Sequence, residues 1–350
     1  MQSFVLGTRL YFGNDALSAL TTLHAARTLI VTDRFFVENG TAARVASLCG
    51  GETAVFDAVQ PDPDLSLIAQ GAGKMRKLRP ELLVALGGGS AIDCAKGMLV
   101  LGKSDARLAA VPTTSGTGSE VTSFSVLTHE GVKHPLVDER LRPSIAILDD
   151  SLLTALPKGL IADAGMDVLA HCLEAVAAKN ASPFTDAQAS WAFRSALEKL
   201  PDSYRGDVTV RGELHCAATM AGIAFDNAGL GACHALSHAL GGVFHLAHGR
   251  LNGILLPKVI EWNAAADPTP YSRLAAFCGL SGMRGLLFAL SRLRRQLALP
   301  STLTEAGLSR TEVLQQADAV CAAAEKDPCS ASNPRPVGRE DYRALLRAAL

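Results

Sequence analysis

Several things are scarce in this chain, and each scarcity removes a class of function. An excess of one charge is missing: 33 Lys and Arg face 34 Asp and Glu, a net of −1. That leaves no electrostatic footing for nucleic acid or an anionic membrane surface. Paired cysteines are missing too. The eight cysteines (49, 94, 172, 216, 233, 278, 321 and 329) are scattered, with no CxxC. This argues against a zinc ribbon or a thioredoxin-type motif and fits free thiols in a reducing compartment. No apolar run reaches the roughly 18–20 residues of a membrane helix. The opening MQSFVLGTRLYFGNDAL lacks the cationic start and apolar core of a secretory leader. A cytoplasmic protein with neither nucleic acid nor membrane as partner is the expectation. Internal repeats and low-complexity tracts are absent. So is the GxGxxG fingerprint: GTGSEV at 116–121 keeps only its first two glycines, which does not support a conventional Rossmann domain.

What is present is a 350-residue chain, 48% hydrophobic, enough for two domains with buried cores. The first 150 residues alternate strand and helix patterns. ARTLIVTD, GETAVFDAV, ELLVALGGGS and ARLAAVPTT read as strands. TAARVASLCG, LSLIAQGAGKMRKLRP and AIDCAKGMLVLG read as helices between them. This βαβα order predicts a mostly parallel sheet with helices on both faces. SFSVLTHEGVKHPLVD reads as a hairpin around Glu130-Gly131. From about 155 onward strand signals stop, and helical periodicity runs from IADAGMDVLAHCLEAVAAK to DYRALLRAAL. The expected division is therefore an α/β domain over 1–155 and an all-helical domain over 156–350.

Four of the nine histidines fall in NAGLGACHALSHALGGVFHLAHG, between Asn227 and Gly249. His234 and His238 are four apart and share a helix face; His245 and His248 follow a Gly-Gly break. Asp167 and His171 repeat the four-residue spacing in DAGMDVLAHCLEA. Imidazoles with one carboxylate suit a divalent first-row metal. Spacing alone does not fix which four of the six would ligate, and helical logic alone pairs His234 with His238. Each residue also has a structural alternative, as a helix cap or a hydrogen-bonded core side chain.

Three features of the first half could hold a nucleotide. Gly87-Gly88-Gly89-Ser90 joins a strand to a helix, where free N–H groups can take a pyrophosphate or simply make a tight turn. Asp33, ending the first strand, could accept ribose hydroxyls and repel a 2′-phosphate, or cap the next helix. The hydroxyl-rich run Pro112–Glu120 could donate to a polar ligand or serve as a plain connector.

GGGSAIDCAKG, PTTSGTGSEVT, ILDDSLLTALPKGLIADAGMDVLAHCLEA and GLGACHALSHALGGVFHLAHGRLNGILLP together resemble the iron-containing (group III) alcohol dehydrogenases, over nearly the whole chain. The opening SFVLGTRLYFG and the run GVKHPLVDERLRPSIAILD resemble, within that family, the 1-propanol dehydrogenases of propanediol-utilising bacterial microcompartments. The resemblance implies a dehydroquinate synthase-like fold, with an N-terminal α/β nucleotide-binding domain and a C-terminal all-α metal-binding domain. It implies Asp167, His171, His234 and His248 as ligands of Fe²⁺, with Zn²⁺ as the alternative ion. His238 becomes the histidine facing the nicotinamide, which overrules the pairing from spacing. Asp33 becomes the ribose-binding carboxylate, favouring NAD. Gly88, Gly89 and Ser90 match the pyrophosphate turn, with Asp93 behind it. Thr113, Thr114 and Thr117 match the adenine side, and Lys133 the nicotinamide ribose. Asp62 falls where several members carry Asn. The implied activity is interconversion of short-chain aldehydes and primary alcohols. Glycerol or 1,3-propanediol oxidation and a non-catalytic microcompartment scaffold stay open as alternatives. A homodimer or larger homo-oligomer is implied, and a shell protein bound through the N-terminus stays open.

Overall fold

The computed structural model of this protein describes residues 3–129 and 132–350. The Glu130-Gly131 pair, where the sequence places a hairpin turn, lies outside them. The strands are β1 (Arg9–Gly13), β2 (Arg27–Val31), β3 (Glu52–Phe56), β4 (Leu82–Gly87), β5 (Arg107–Pro112), β6 (Phe124–His129), β7 (Val132–Val137) and β8 (Ile145–Asp149). Six of them form one sheet in the order β1-β8-β5-β4-β2-β3, every neighbouring pair parallel. β6 and β7 make a separate antiparallel ladder. Helices α1 (Arg34–Glu38), α2 (Thr41–Cys49), α3 (Leu65–Leu78) and α4 (Gly89–Gly102) follow β2, β3 and β4.

The central strands are near-continuous apolar runs, as expected of strands covered on both faces. Their period of two sorts the side chains into two cores. Leu29, Val31, Leu83, Ala85, Leu108 and Ala110 join Ile68, Met75, Ile92 and Met98 of α3 and α4. Ile30, Leu82, Val84, Leu86, Ala109 and Val111 join Leu17, Leu20, Ala42 and Val45 on the other side. Helix ends follow local chemistry. Asp64 of the PDPD turn accepts the Leu67 N–H at 2.7 Å and caps α3. That helix stops at Arg79, in the left-handed region, just before Pro80.

The second half is helical throughout: α5 (Lys158–Ala177), α6 (Pro183–Arg205), α7 (Arg211–Ala228), α8 (Ala232–Phe244), α9 (His248–Ala264), α10 (Thr269–Phe277), α11 (Gly282–Gln296), α12 (Arg310–Lys326), α13 (Pro328–Ser332) and α14 (Arg339–Ala348). By internal contacts one compact unit is Leu6–Leu156; the other is Pro157–Leu350 with residues 3–5. From Ile161 to Ala177 every residue of α5 except Ala164 is buried, so this helix is enclosed by its neighbours rather than laid on a surface. α9 crosses it closely. A Cβ on Gly249 would fall 1.9 Å from the Asp163 carbonyl oxygen, so only glycine permits that approach. Among the described residues no single helix is long and apolar enough to cross a membrane.

Candidate functional site

In the sheet unit most of the implied nucleotide residues follow the carboxyl ends of parallel strands; Asp93 lies within α4 and Lys133 in the antiparallel β7. Asp33 follows β2, Asp62 follows β3, Gly88 to Ser90 follow β4, and Thr113 to Thr117 follow β5. That edge is where open α/β sheets bind ligands. Gly87 has φ 150°, a conformation L side chains avoid. Gly88 then precedes α4, whose first N–H groups have no partner within the helix. The threonine loop packs onto this turn. A Cβ on Gly88 would meet Thr114 Oγ1 at 3.3 Å, and one on Gly89 would meet Thr117 Cγ2 at 2.9 Å. Gly88, Gly89 and Ser90 stay partly accessible, so the turn can receive an anion.

Asp33 caps α1: its Oδ1 accepts the Phe36 N–H at 3.3 Å. Its Oδ2 lies 3.9 Å from where a Gly87 Cβ would stand, beside the glycine turn. Asp93 is tied inward. Its carboxylate accepts from Ser119 Oγ at 2.7 Å and from the Val126 N–H at 3.0 Å, fastening the loop after β5 to α4. Asp62 is exposed, with a left-handed φ of 54°. Thr113 is buried, Thr114 half-buried and Thr117 exposed. Lys133 pairs with Thr128 in the β6–β7 ladder; its side chain lies outside the described residues.

In the helical unit, Asp167 and His171 stand one turn apart on α5, His234 and His238 one turn apart on α8, and His248 opens α9. Asp167, His171, His234 and His238 are buried, and His248 is half-buried. Asp167 Oδ1 lies 3.8, 3.6 and 3.5 Å from Nε2 of His171, His234 and His248. These separations are too long for hydrogen bonds. They approach the edge of about 3.3–3.6 Å expected for a tetrahedron of N and O ligands with bonds of about 2.0–2.2 Å. Ligand atoms of Asp167, His234 and His248 fall within 4.8 Å of one another. The His171 ring stacks on His234 at 4.7 Å and on Phe225 at 4.4 Å. His245 is different: exposed, left-handed, and the C-cap of α8.

The tautomers agree with a metal site. His234 Nδ1 meets Glu174 Oε2 at 2.5 Å, and an ionised carboxylate only accepts. The ring proton is therefore on Nδ1, and the Nε2 lone pair points inward. Ser237 Oγ donates to the His248 carbonyl at 3.3 Å and so accepts from His248 Nδ1 at 3.1 Å. His248 Nε2 also faces inward. Such outer hydrogen bonds are what orient histidine ligands. Burial raises the pKa of Asp167, but His171, His248 and His234 outweigh it and hold the group well below the usual carboxylate range. Burial lowers that of His234, but Asp167 and Glu174 outweigh it and push it up to about 9. The second proton that this raised pKa favours must leave Nε2 when a metal binds there. Cys233, next in the chain, is no thiolate candidate: burial, then Glu174 and Asp167, push its thiol well up.

Three of these partners escape a reading by spacing. Glu174 is one. Its carboxylate also accepts the N–H groups of Cys233 at 2.7 Å and His234 at 3.4 Å, while Asn333 Oδ1 takes that of Ala232 at 3.0 Å. The N-terminus of α8 is thus capped from outside, and Gly231 leaves room: a Cβ there would meet Asn333 Oδ1 at 2.6 Å and Glu174 Oε1 at 2.8 Å. Its signal was the third member of an Asp-x3-His-x2-Glu face on α5. Asn252 is another, four residues after His248. Its amide donates to Asp167 Oδ1 at 2.7 Å and stands 3.2 Å from Nε2 of both His234 and His248. Asp327 is the third, 2.9 Å from His238 Nδ1, and 89 residues of separation hid it.

A glycine turn at the strand ends of a parallel sheet, in one chain with helices that gather three imidazoles round a buried carboxylate, suits a nucleotide- and metal-dependent enzyme. The particular family follows from comparison. The family model "Iron-containing alcohol dehydrogenase" matches residues 7–150, and "Fe-containing alcohol dehydrogenase family, C-terminal" matches 161–350. The chain is 37% identical to the 1-propanol dehydrogenase PduQ of Salmonella typhimurium over 370 residues, covering 100% of both chains. It superposes on an iron-containing alcohol dehydrogenase of Thermococcus thioreducens with TM-score 0.95 and 32% identity, covering 99% of each. A 1,3-propanediol oxidoreductase structure gives TM-score 0.93 and 31% identity over 100% of each. The chain belongs to the iron-containing alcohol dehydrogenase family. It is an oxidoreductase that interconverts alcohols and aldehydes with a nicotinamide cofactor and a divalent metal.

Proposed function

We propose that this enzyme interconverts a short-chain aldehyde and its primary alcohol, of the propionaldehyde and 1-propanol type, using NAD(H). The observation that carries the metal half of the reading is the convergence of three imidazole Nε2 atoms on Asp167 Oδ1 at 3.5–3.8 Å. Asp167, His171, His234 and His248 would hold the ion, of the iron type with zinc as the alternative. When bound, the metal supplies Lewis acidity to the substrate oxygen, and the nicotinamide gives or takes the hydride. Gly88, Gly89 and Ser90 would take the pyrophosphate on free N–H groups. Asp33 would take the adenine ribose; Asp62, Thr113, Thr114, Thr117 and Lys133 would complete the nucleotide site, with Asp93 holding the loop. His238 has its Nδ1 engaged, so Nε2 is the atom left to move the proton. The 1–155 part is thus the nucleotide domain and the 156–350 part the metal domain.

The test is NADH oxidation with propionaldehyde by anaerobically purified protein, with and without chelator, alongside elemental analysis. Chelator-sensitive turnover with about one iron or zinc per chain supports the reading. Bound metal with turnover only on diols would move the substrate to the polyol class, which the likeness to the 1,3-propanediol oxidoreductase favours. Replacing His238 by Ala is expected to lower kcat about 10²–10⁴-fold with metal content intact; loss of metal would instead make His238 a ligand. From the resemblance of the opening residues to the microcompartment 1-propanol dehydrogenases, we also propose a homo-oligomer inside a microcompartment, docked through the N-terminus. Deleting the first residues should then abolish encapsulation and leave kinetics unchanged.

A further inference from the structure

His238 stands beside the ligand group without joining it. Its ring lies parallel to that of His248, 5.0 Å between centroids and 13° between planes, and it is buried. Its own hydrogen bond leads to the far end of the chain, where Asp327 Oδ2 sits 2.9 Å from Nδ1. Asp327 lies between α12 and α13 and is itself fixed: its Oδ1 accepts the Cys329 N–H at 2.8 Å. We propose that Asp327 is the positioning residue for His238, locking its imidazole in the Nδ1–H tautomer so that Nε2 presents a lone pair to the reacting proton. This rests on the role given to His238 above.

The geometry separates this pair from a second metal group. His238, Asp327 and Cys329 do bring ligand atoms within 4.8 Å of one another. Yet 2.9 Å is a hydrogen-bond length, unlike the 3.5–3.8 Å edges round Asp167. Burial and the neighbouring Asp327 also push the Cys329 thiol well up, so it offers no thiolate. Asp327 stays ionised: burial opposes its charge, but the hydrogen bond and charge of His238 lower its pKa. An ionised carboxylate only accepts, and therefore dictates which ring nitrogen carries the proton.

Asp327→Asn tests the tautomer with almost no change of shape. The Cys329 N–H claims the amide oxygen, which turns the amide NH₂ towards His238 Nδ1. The ring proton must then move to Nε2. In the zinc-loaded protein, ¹⁵N shifts of His238 should report Nδ1–H in the wild type and Nε2–H in Asp327→Asn. kcat should fall about 10²–10⁴-fold, as when a catalytic histidine is held in the wrong tautomer. Metal content and aldehyde KM should stay within about twofold. An Nε2–H ring in the wild type overturns the proposal, even if the variant does not fold. So does an Asp327→Asn enzyme of wild-type kcat, or one that is slow because it has lost its metal. If His238→Ala slows turnover and Asp327→Asn does not, only the positioning role fails. If His238→Ala is itself without effect, the assignment of His238 fails, and this inference with it.

Discussion

The two units of this chain present polar groups in opposite ways. At the carboxyl edge of the sheet the proposed binding surface is largely backbone: Gly88 and Gly89 strip side chains from the start of α4, and threonines 114 and 117 fill the space beside them. In the helical unit the surface is all side chain, and the backbone serves as a rigid frame. There Glu174 holds α8 by its N-terminus and His234 by its ring. The difference teaches what each unit can tolerate. A backbone site is damaged by adding atoms. A side-chain site is damaged by removing them.

The sharpest way to break the comparison is to remove a first ligand. His234→Ala or Asp167→Ala should strip the metal and lower turnover by at least about 10³-fold, read by elemental analysis and NADH oxidation. If either variant kept its metal, the Nε2 convergence on Asp167 would not be the site. Glu174→Gln should act more gently. It leaves the outline of the side chain but removes the charge that orients His234, so metal affinity should drop about 10–100-fold, measured by competition with a chelator. Unchanged affinity would reduce Glu174 to a helix cap. Gly249→Ala tests the backbone frame. The added Cβ meets the Asp163 carbonyl, which belongs to α5 and cannot swing away. A loss of about 1–3 kcal/mol is expected from such overpacking, seen as a lower Tm before any change in the metal-loaded spectrum.

The same contrast explains what was legible in the sequence. The parallel sheet was legible because β2, β4 and β5 are apolar on both faces, β2 running on to Asp33, β4 into the glycine turn and β5 into the threonine-rich loop. β1 was harder: it is an edge strand, with Leu10 and Phe12 exposed, so its pattern does not alternate into a core. β8 was not singled out either, although it is as long as β2 and β3 and buried throughout. α12 escaped because its buried face includes alanines 317 and 324, which carry little periodic signal. In the site, pairs one helical turn apart announced themselves, and spacing alone joined His234 to His238. His234 and His238 share a face of α8, but one converges on Asp167 and the other bonds to Asp327. Spacing reports a shared face; it does not report what waits opposite. Asn333 and Asp327 approach α8 from about a hundred residues away, and no local pattern encodes that.

The smallest expected effect lies at Asp33, where the two kinds of site meet in one residue. Its Oδ1 caps α1 through Phe36, so the capping reading holds. Oδ2 remains beside the glycine turn, where a charge would disfavour a 2′-phosphate. Asp33→Gly separates the roles, because glycine is a tolerable N-cap and costs only a few tenths of a kcal/mol there. Stability should therefore barely move. The ratio of kcat/KM for NADPH over NADH should rise about tenfold, the equivalent of about 1.4 kcal/mol of relieved repulsion and lost ribose contact. An unchanged ratio at unchanged stability would leave Asp33 with no part in choosing the cofactor, and the preference for NAD would have to come from elsewhere along the strand ends. A lower Tm with an unchanged ratio would make Asp33 a cap alone.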